Sequence, residues 1–310
     1  MTSPRDARRI EPPLATAKRH GRAIAAVIGS TFCFAIAAAL VKLVAPSLPT
    51  PQIVLARSAI SLAALTPLLA REGGVRALRT RQPLWHAVRT LAGFGGMITA
   101  FYGYAHLPLA EVTALGFTMP LFLTILSVPL LGEKVGIRRW SAVIAGFLGV
   151  LLILRPFASA IPLWPALVVV AGALCWALAM IAIRRMGEAG ESNVAIVAWF
   201  SIGGTVLAGG FTIPVWVTPA WHETGFLVGV GLTSTVAQLL MTDAYRRGEA
   251  TIVAPFEYTG ILWTALIGIV LFDESPSPTM AAGVVVLVAS GLYILHREVI
   301  RRRAEAPSAR

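Results

Sequence analysis

The sequence predicts an all-α integral membrane protein, with ten transmembrane helices arranged as two inverted five-helix repeats. Three observations carry that prediction. The 310-residue chain is 56% hydrophobic and 13% charged, with a mean hydropathy of +0.76, whereas a soluble domain carries about 25% charged residues. Apolar stretches of about 20 residues, long enough to cross a hydrocarbon core of about 30 Å, recur along it. The chain also repeats itself. GSTFCFAIAAALVK, from Gly29 to Lys42, lies over AGALCWALAMIAIR, from Ala171 to Arg184. Cys33 then meets Cys175, Phe34 meets Trp176, Ala35 meets Ala177, Ala37 meets Ala179 and Lys42 meets Arg184. In a second register, Ala110, Ala114, Thr124, Leu126 and Leu131 meet Ala250, Ala254, Thr264, Leu266 and Leu271. An odd number of crossings per copy turns the second copy upside down.

Helix one is placed at 22–45, behind a basic flank. Its apolar run exceeds a signal-peptide core and it is the repeat partner of helix six, so it is expected to be retained. Helix two, 51–70, follows the tight link PSLPTP; helix three, 85–106, ends at HLPLA, which turns the chain straight back into helix four, 109–131. Helix five, 138–156, completes the first repeat, 22–156. Helices six to ten, at 160–184, 192–216, 224–246, 250–272 and 277–296, form the second repeat, 160–296. Residues 1–21 are read as a basic N-terminal segment and 297–310 as a short disordered basic tail. The 20 prolines and 28 glycines do not oppose helices, because membrane neighbours can satisfy the freed backbone groups.

The net charge of +11 is a topology signal. All but Lys42, Arg57 and Arg155 of the 26 Lys and Arg fall in the N-terminal segment, the tail and the links two–three, four–five, six–seven and eight–nine. Arg71, Arg76, Arg79, Arg81 and Arg89 are assigned to the two–three link. The positive-inside rule then places both termini in the cytoplasm of a bacterial-type inner (plasma) membrane. This spread of charge leaves no nucleic-acid patch. Cys33 and Cys175 read as small core residues, not as a disulfide framework.

Ionisable residues inside a membrane are costly and mark candidate function. Glu257, in PFEYTGILW of helix nine, lies about four residues from the helix centre, roughly 6 Å from the midplane. Arg57 lies similarly deep in helix two. Each is a candidate to contact a solute or carry coupling, against the alternative of a buried pair that sets packing. Lys42 can snorkel outward, and Glu111 is a candidate partner for Lys42 or Arg57. Asp243 either pairs locally with Arg246 and Arg247 or serves as a proton-linked group near an inner gate. Phe34 and Trp176 are repeat mates positioned to face a shared cavity. Tyr102, Phe117, Tyr258 and Trp263 complete the aromatic candidates. Pro120 and Pro255 break the backbone ladder in repeat-equivalent helices, either as static kinks or as hinges. Inverted repeats with buried charge imply a secondary transporter, with its site between the repeats.

LPLAEVTALGFTMPLFLTILSVPLLGEKVGIRRWSAVIAGFLGVLLILRP (107–156), VAPFEYTGILWTALIGIVLFDESPSPTMAAGVVVLVASGLYILHRE (253–298) and LARSA (55–59) resemble the EamA-type family of the drug/metabolite transporter superfamily. LLGE (130–133) is similar to the family's Gly-Glu signature, and LFDE (271–274) to its second-half counterpart, with Asp273 where glycine is usual. The resemblance implies ten helices in two inverted repeats and carriage of small organic solutes without ATP. The pattern is most similar to the subgroup for S-adenosylmethionine or riboflavin uptake. Exporters of amino acids and metabolites share the fold, which by itself assigns no substrate.

An integral-membrane enzyme is the competing class. The chain has no Gly-x-Ser-x-Gly, no His-Glu-x-x-His and no P-loop, and its five histidines lack ligand spacing. No cofactor or metal is implied. The expected partners are a small-molecule solute and the lipid bilayer, with a proton or counter-solute as candidates for coupling.

Overall fold

The computed structural model describes residues 13–132, 135–154, 162–247 and 254–305. Glu133 of LLGE, Arg155, the start of helix nine at 250–253 and both chain ends lie outside the described residues. Within them the regular structure is helical throughout. The helices are α1 (Pro13–Val44), α2 (Thr50–Arg71), α3 (Pro83–His106), α4 (Leu109–Gly116), α5 (Met119–Leu131) and α6 (Ile137–Leu154). They continue as α7 (Leu163–Glu188), α8 (Asn193–Thr212), α9 (Trp221–Arg247), α10 (Thr259–Phe272) and α11 (Pro278–Glu305). Single 3₁₀ turns span Gly74–Leu78, Ile213–Val215 and Ala254–Tyr258.

Nine segments of the described chain are long and apolar enough to cross a membrane. α3 is long enough, at 24 residues or about 36 Å, but less apolar. His86, Arg89 and its glycines lower its hydropathy, and they turn inward: His86, Arg89, Gly93 and Gly96 are all buried. Its outward face keeps large apolar residues such as Leu84 and Leu91.

Three expectations are corrected. Helix four is two helices. α4 stops at Gly116, Phe117 and Thr118 form a turn, and Pro120 sits in the first turn of α5. Proline has no N–H to continue the ladder and its ring clashes with the preceding turn, so the chain tightens: Thr118 N bonds Leu115 O at 3.0 Å. The tail is not disordered from residue 297, since α11 runs on to Glu305 through arginine and glutamate, which favour helix. Likewise α1 begins at Pro13, inside the segment read as a basic lead-in.

The helix contacts obey the predicted inversion. α1 packs mainly on α9 and α3 mainly on α7, and exchange of the repeats turns one pair into the other. The pairs α2–α8 and α6–α11 each join a helix to its own counterpart, and α5–α7 mirrors α1–α10. The caps keep the register too. Thr118 precedes α5 as Tyr258 precedes α10. α5 ends on left-handed Gly132 (φ 69°) and α10 on left-handed Asp273 (φ 51°). Asp273 therefore adopts the turn that glycine makes in the first half. The largest buried apolar cluster joins Leu115, Leu121, Ile153, Val169, Met280 and Leu287.

Candidate functional site

Between the repeats, α2, α3, α8 and α9 enclose a cavity of about 310 Å³. These four helices are two repeat pairs, so the cavity lies where the halves meet. Its walls come from α2 (Arg57, Ser61, Leu65, Leu68) and from Arg89 near the start of α3. The first half of α8 adds Val194, Val197, Phe200 and Ser201, and the last half of α9 adds Thr235, Gln238, Leu239 and Asp243. Apart from Arg57, these residues lie toward the end of the bundle that carries the two–three and six–seven links, called here the basic end.

Two guanidinium groups dominate the chamber. Arg57 is 8% exposed and Arg89 4%. Both turn to the ring of Phe200, Arg57 Cζ at 5.7 Å from its centroid and Arg89 Cζ at 4.0 Å. Arg89 Cζ also lies 5.7 Å from the Trp176 ring. Cation–π attraction offsets part of the desolvation of each cation. Among the described residues, no carboxylate lies within ion-pair distance of either group, and Arg89 Nε and Nη1 have no hydrogen-bond acceptor. Ser61 and Thr235 hydroxyls join α2 to α9 at 2.9 Å.

A notch in α3 admits these groups. A Cβ on Gly93 would overlap the Arg89 guanidinium and come within 2.8 Å of Phe200; one on Gly96 would lie 2.7 Å from the Trp176 indole nitrogen. Trp176 faces a second cavity, of about 260 Å³, between α3, α4, α5 and α7, with Phe117, Tyr104, Thr113 and Met180. Trp176 thus lines this cavity while touching an arginine of the first.

The sequence-derived candidates divide accordingly. Arg57 and Asp243 line the first cavity, and Trp176 and Phe117 the second. Phe117 meets Tyr258 with ring centroids 4.6 Å apart, so the break after α4 touches the turn before α10. Glu257 and Pro255 lie on that turn, Ala254–Tyr258; Glu257 lines neither cavity. Phe34, half-buried on α1, also lines neither of these two cavities. Tyr102 stacks on His106 at 4.0 Å. Trp263 packs edge-on to Phe32 at 5.3 Å. Cys33 and Cys175 are free and half-buried.

Arg89 is the residue that the sequence reading misplaced. Counted with the two–three link, it proves to be buried within α3. Its position inside the predicted span 85–106 was the available signal. Ser61, Ser201, Thr235 and Gln238 carried no such signal, because uncharged polar residues are common in membrane helices.

The opposite end is closed. Lys42 Nζ donates to Leu107 O at 2.7 Å, and its carboxylate partner is Glu274. Gln52 exchanges two hydrogen bonds with the Val217 backbone, at 2.6 and 3.1 Å. At the basic end, outside the spans, Glu191 accepts from Thr80 Oγ1 at 2.7 Å and Arg81 N at 2.9 Å, with His86 Nε2 at 3.5 Å. Burial raises the Glu191 pKa, but these three donors outweigh it and hold the carboxyl below its usual value.

Comparison with known proteins agrees with this architecture. A solved structure with 22% identity superposes with a TM-score of 0.61 over 91% of this chain and 99% of that one, which shows the fold. The chain is 32% identical to a riboflavin transporter of Rhizobium johnstonii over 239 residues, 75% of this chain and 77% of that one. It is 34% identical to the pseudopaline exporter CntI of Pseudomonas aeruginosa over 262 residues, covering 84% and 91%. An S-adenosylmethionine uptake transporter of Rickettsia bellii is 28% identical over 225 residues, covering 73% and 77%. The EamA-like transporter family model matches residues 21–155 and again 163–296. With a chamber at the seam of two inverted halves and both halves matching one model, this multi-pass membrane chain belongs to the EamA-like transporter family.

Proposed function

We propose that this transporter takes up a small organic metabolite across a bacterial-type inner membrane by alternating access, with both termini in the cytoplasm. The observation that carries the reading is the chamber of about 310 Å³ between α2, α3, α8 and α9. Its volume and its mix of apolar wall and few polar anchors suit a small-molecule site, and its place between inverted repeats suits a carrier. S-adenosylmethionine and riboflavin, the solutes named for two of the relatives, are the first to test. Arg57 and Asp243 are proposed to meet the solute, and Trp176 and Phe117 to line its path beyond the chamber. Pro120, Pro255 and the Phe117–Tyr258 contact are proposed as the joint that bends, with Glu257 beside it carrying a coupled proton or counter-solute.

The test is flux of labelled riboflavin and S-adenosylmethionine in proteoliposomes of known orientation, measured in both directions and with an imposed proton gradient. Saturable uptake of either supports the reading. Accumulation only in the outward direction overturns uptake, and no flux of these solutes beyond empty vesicles overturns both solute assignments.

A further inference from the structure

We infer that Arg57, Arg89 and Phe200 form a seat for an oxyanion, so that the transported solute carries a carboxylate or phosphate on a partly apolar body. This rests on the reading of the first cavity as the solute chamber and names the class of solute that the chamber takes; of the two solutes named above, S-adenosylmethionine carries a carboxylate and riboflavin carries neither group.

The argument is electrostatic. Two guanidinium groups more than nine-tenths buried converge from two helices on the ring of Phe200, at 5.7 and 4.0 Å. A buried cation is costly unless paired and hydrogen-bonded. Here the two like charges share one ring instead of facing carboxylates, and two nitrogens of Arg89 have no acceptor. A ring offers attraction but no lone pair. The missing partner is a compact group with several acceptor lone pairs and negative charge, and the planar guanidinium fork matches a carboxylate or phosphate with two parallel bonds.

The rest of the chamber suits what such a group is attached to. Leu65, Val197 and Leu239 present apolar surface, while Ser61, Thr235 and Gln238 offer hydroxyl and amide groups. Asp243 lines the same chamber.

The test uses the full-length protein in lipid nanodiscs and reads its thermal midpoint as probe concentration rises, since a ligand of the native state raises apparent stability. The probes are 4-hydroxybenzoate, phenyl phosphate and the uncharged 4-hydroxybenzamide, with chloride at matched ionic strength. A saturable rise is expected with 4-hydroxybenzoate or phenyl phosphate, with half-saturation at least about tenfold below that of the amide. Arg57→Gln and Arg89→Gln should each abolish this preference while their own midpoints stay at or above wild type, because each removes an uncompensated buried charge. Arg89→Lys should keep part of the preference.

Equal response to acid and amide, kept in both Gln variants, overturns the seat and leaves the chamber intact. A chloride response as large as that to 4-hydroxybenzoate overturns it in favour of an inorganic anion only. Should either Gln variant fail to fold, the wild-type comparison of acid and amide decides alone. No response to these probes, to riboflavin or to S-adenosylmethionine removes the chamber reading and the seat with it.

Discussion

Lys42 Nζ lies 2.6 Å from Glu274 Oε1, and this pair ties four helix ends together. Lys42 holds the carbonyl of Leu107 after α3. Glu274, just beyond α10, accepts from Leu109 N at 2.8 Å, the first residue of α4. It supplies the acceptor and the negative charge that a helix N-terminus calls for. The side chains are 20% and 10% exposed, so water screens the pair little. Removal of one partner strands the other charge. Glu274→Gln should therefore lower stability by about 3 kcal/mol, and the Lys42→Met/Glu274→Gln double variant should lose less than the sum of the single losses. A double-mutant cycle of thermal or denaturant unfolding in detergent measures this; strictly additive losses would refute the latch.

Gly93 is the position where the least change should do most to the chamber. An added methyl group meets the Arg89 guanidinium and the Phe200 ring. Gly93→Ala should cost about 1–3 kcal/mol by overpacking and lower flux at least about tenfold through displacement of Arg89. Initial-rate flux in proteoliposomes checks it, with expression measured alongside.

Glu191 gives the pH dependence. Its folded pKa lies below the ordinary value of 4.5. A depressed carboxyl pKa stabilises the fold above the unfolded pKa, and that contribution is lost as pH falls through the folded value. Glu191→Gln should lower the midpoint at pH 7 by the equivalent of about 1 kcal/mol. Its difference from wild type should shrink as pH drops below 4.5. A difference that grows on acidification would contradict the assignment.

The helices, their order and the repeat were legible in the sequence, because hydropathy and register are one-dimensional properties of the chain. Pro120 announced the break in helix four through its missing N–H. Arg57 was found because a charge amid apolar neighbours stands out. Arg89 was not, because it sits only six residues into α3 and among other arginines, where charge counting took it for topology. Glu111, in the same repeat, is the candidate partner of Lys42 that the sequence offers; Glu274 arrives from the other repeat, a pairing that only the inverted packing creates. Ser61 and Thr235 meet for the same reason.

Asp273 tests the turn that closes α10. Its φ of 51° is the only positive value at a non-glycine among the described residues, a conformation that costs an L residue roughly 1–2 kcal/mol. Asp273→Gly should raise the unfolding midpoint by the equivalent of up to about 1 kcal/mol, and Asp273→Val should lower it. A midpoint lowered by Asp273→Gly would show that the aspartate side chain contributes more than its backbone costs.

Glu257 tests coupling. It lies on the 3₁₀ turn before α10, next to Tyr258, which touches the α4 break at Phe117. Glu257→Gln keeps the shape and removes the charge. Gradient-driven accumulation should be lost while solute exchange persists. Accumulation like wild type from pH 5 to 8 would make the residue a structural one.

The pairs α2–α8 and α6–α11 each join a helix to its own counterpart. That is the contact of a two-fold homodimer, in which any residue placed beside the axis appears twice. Two separate copies would be obliged to double Arg57 and Arg89, crowding the axis with like charge. A single chain carries no such obligation. α8, from Asn193 to Thr212, has no lysine or arginine at all, and where α2 presents Arg57, α8 presents the ring of Phe200 that receives it. Joining the halves in one polypeptide let one become the host of charge and the other its complement, which identical subunits cannot do.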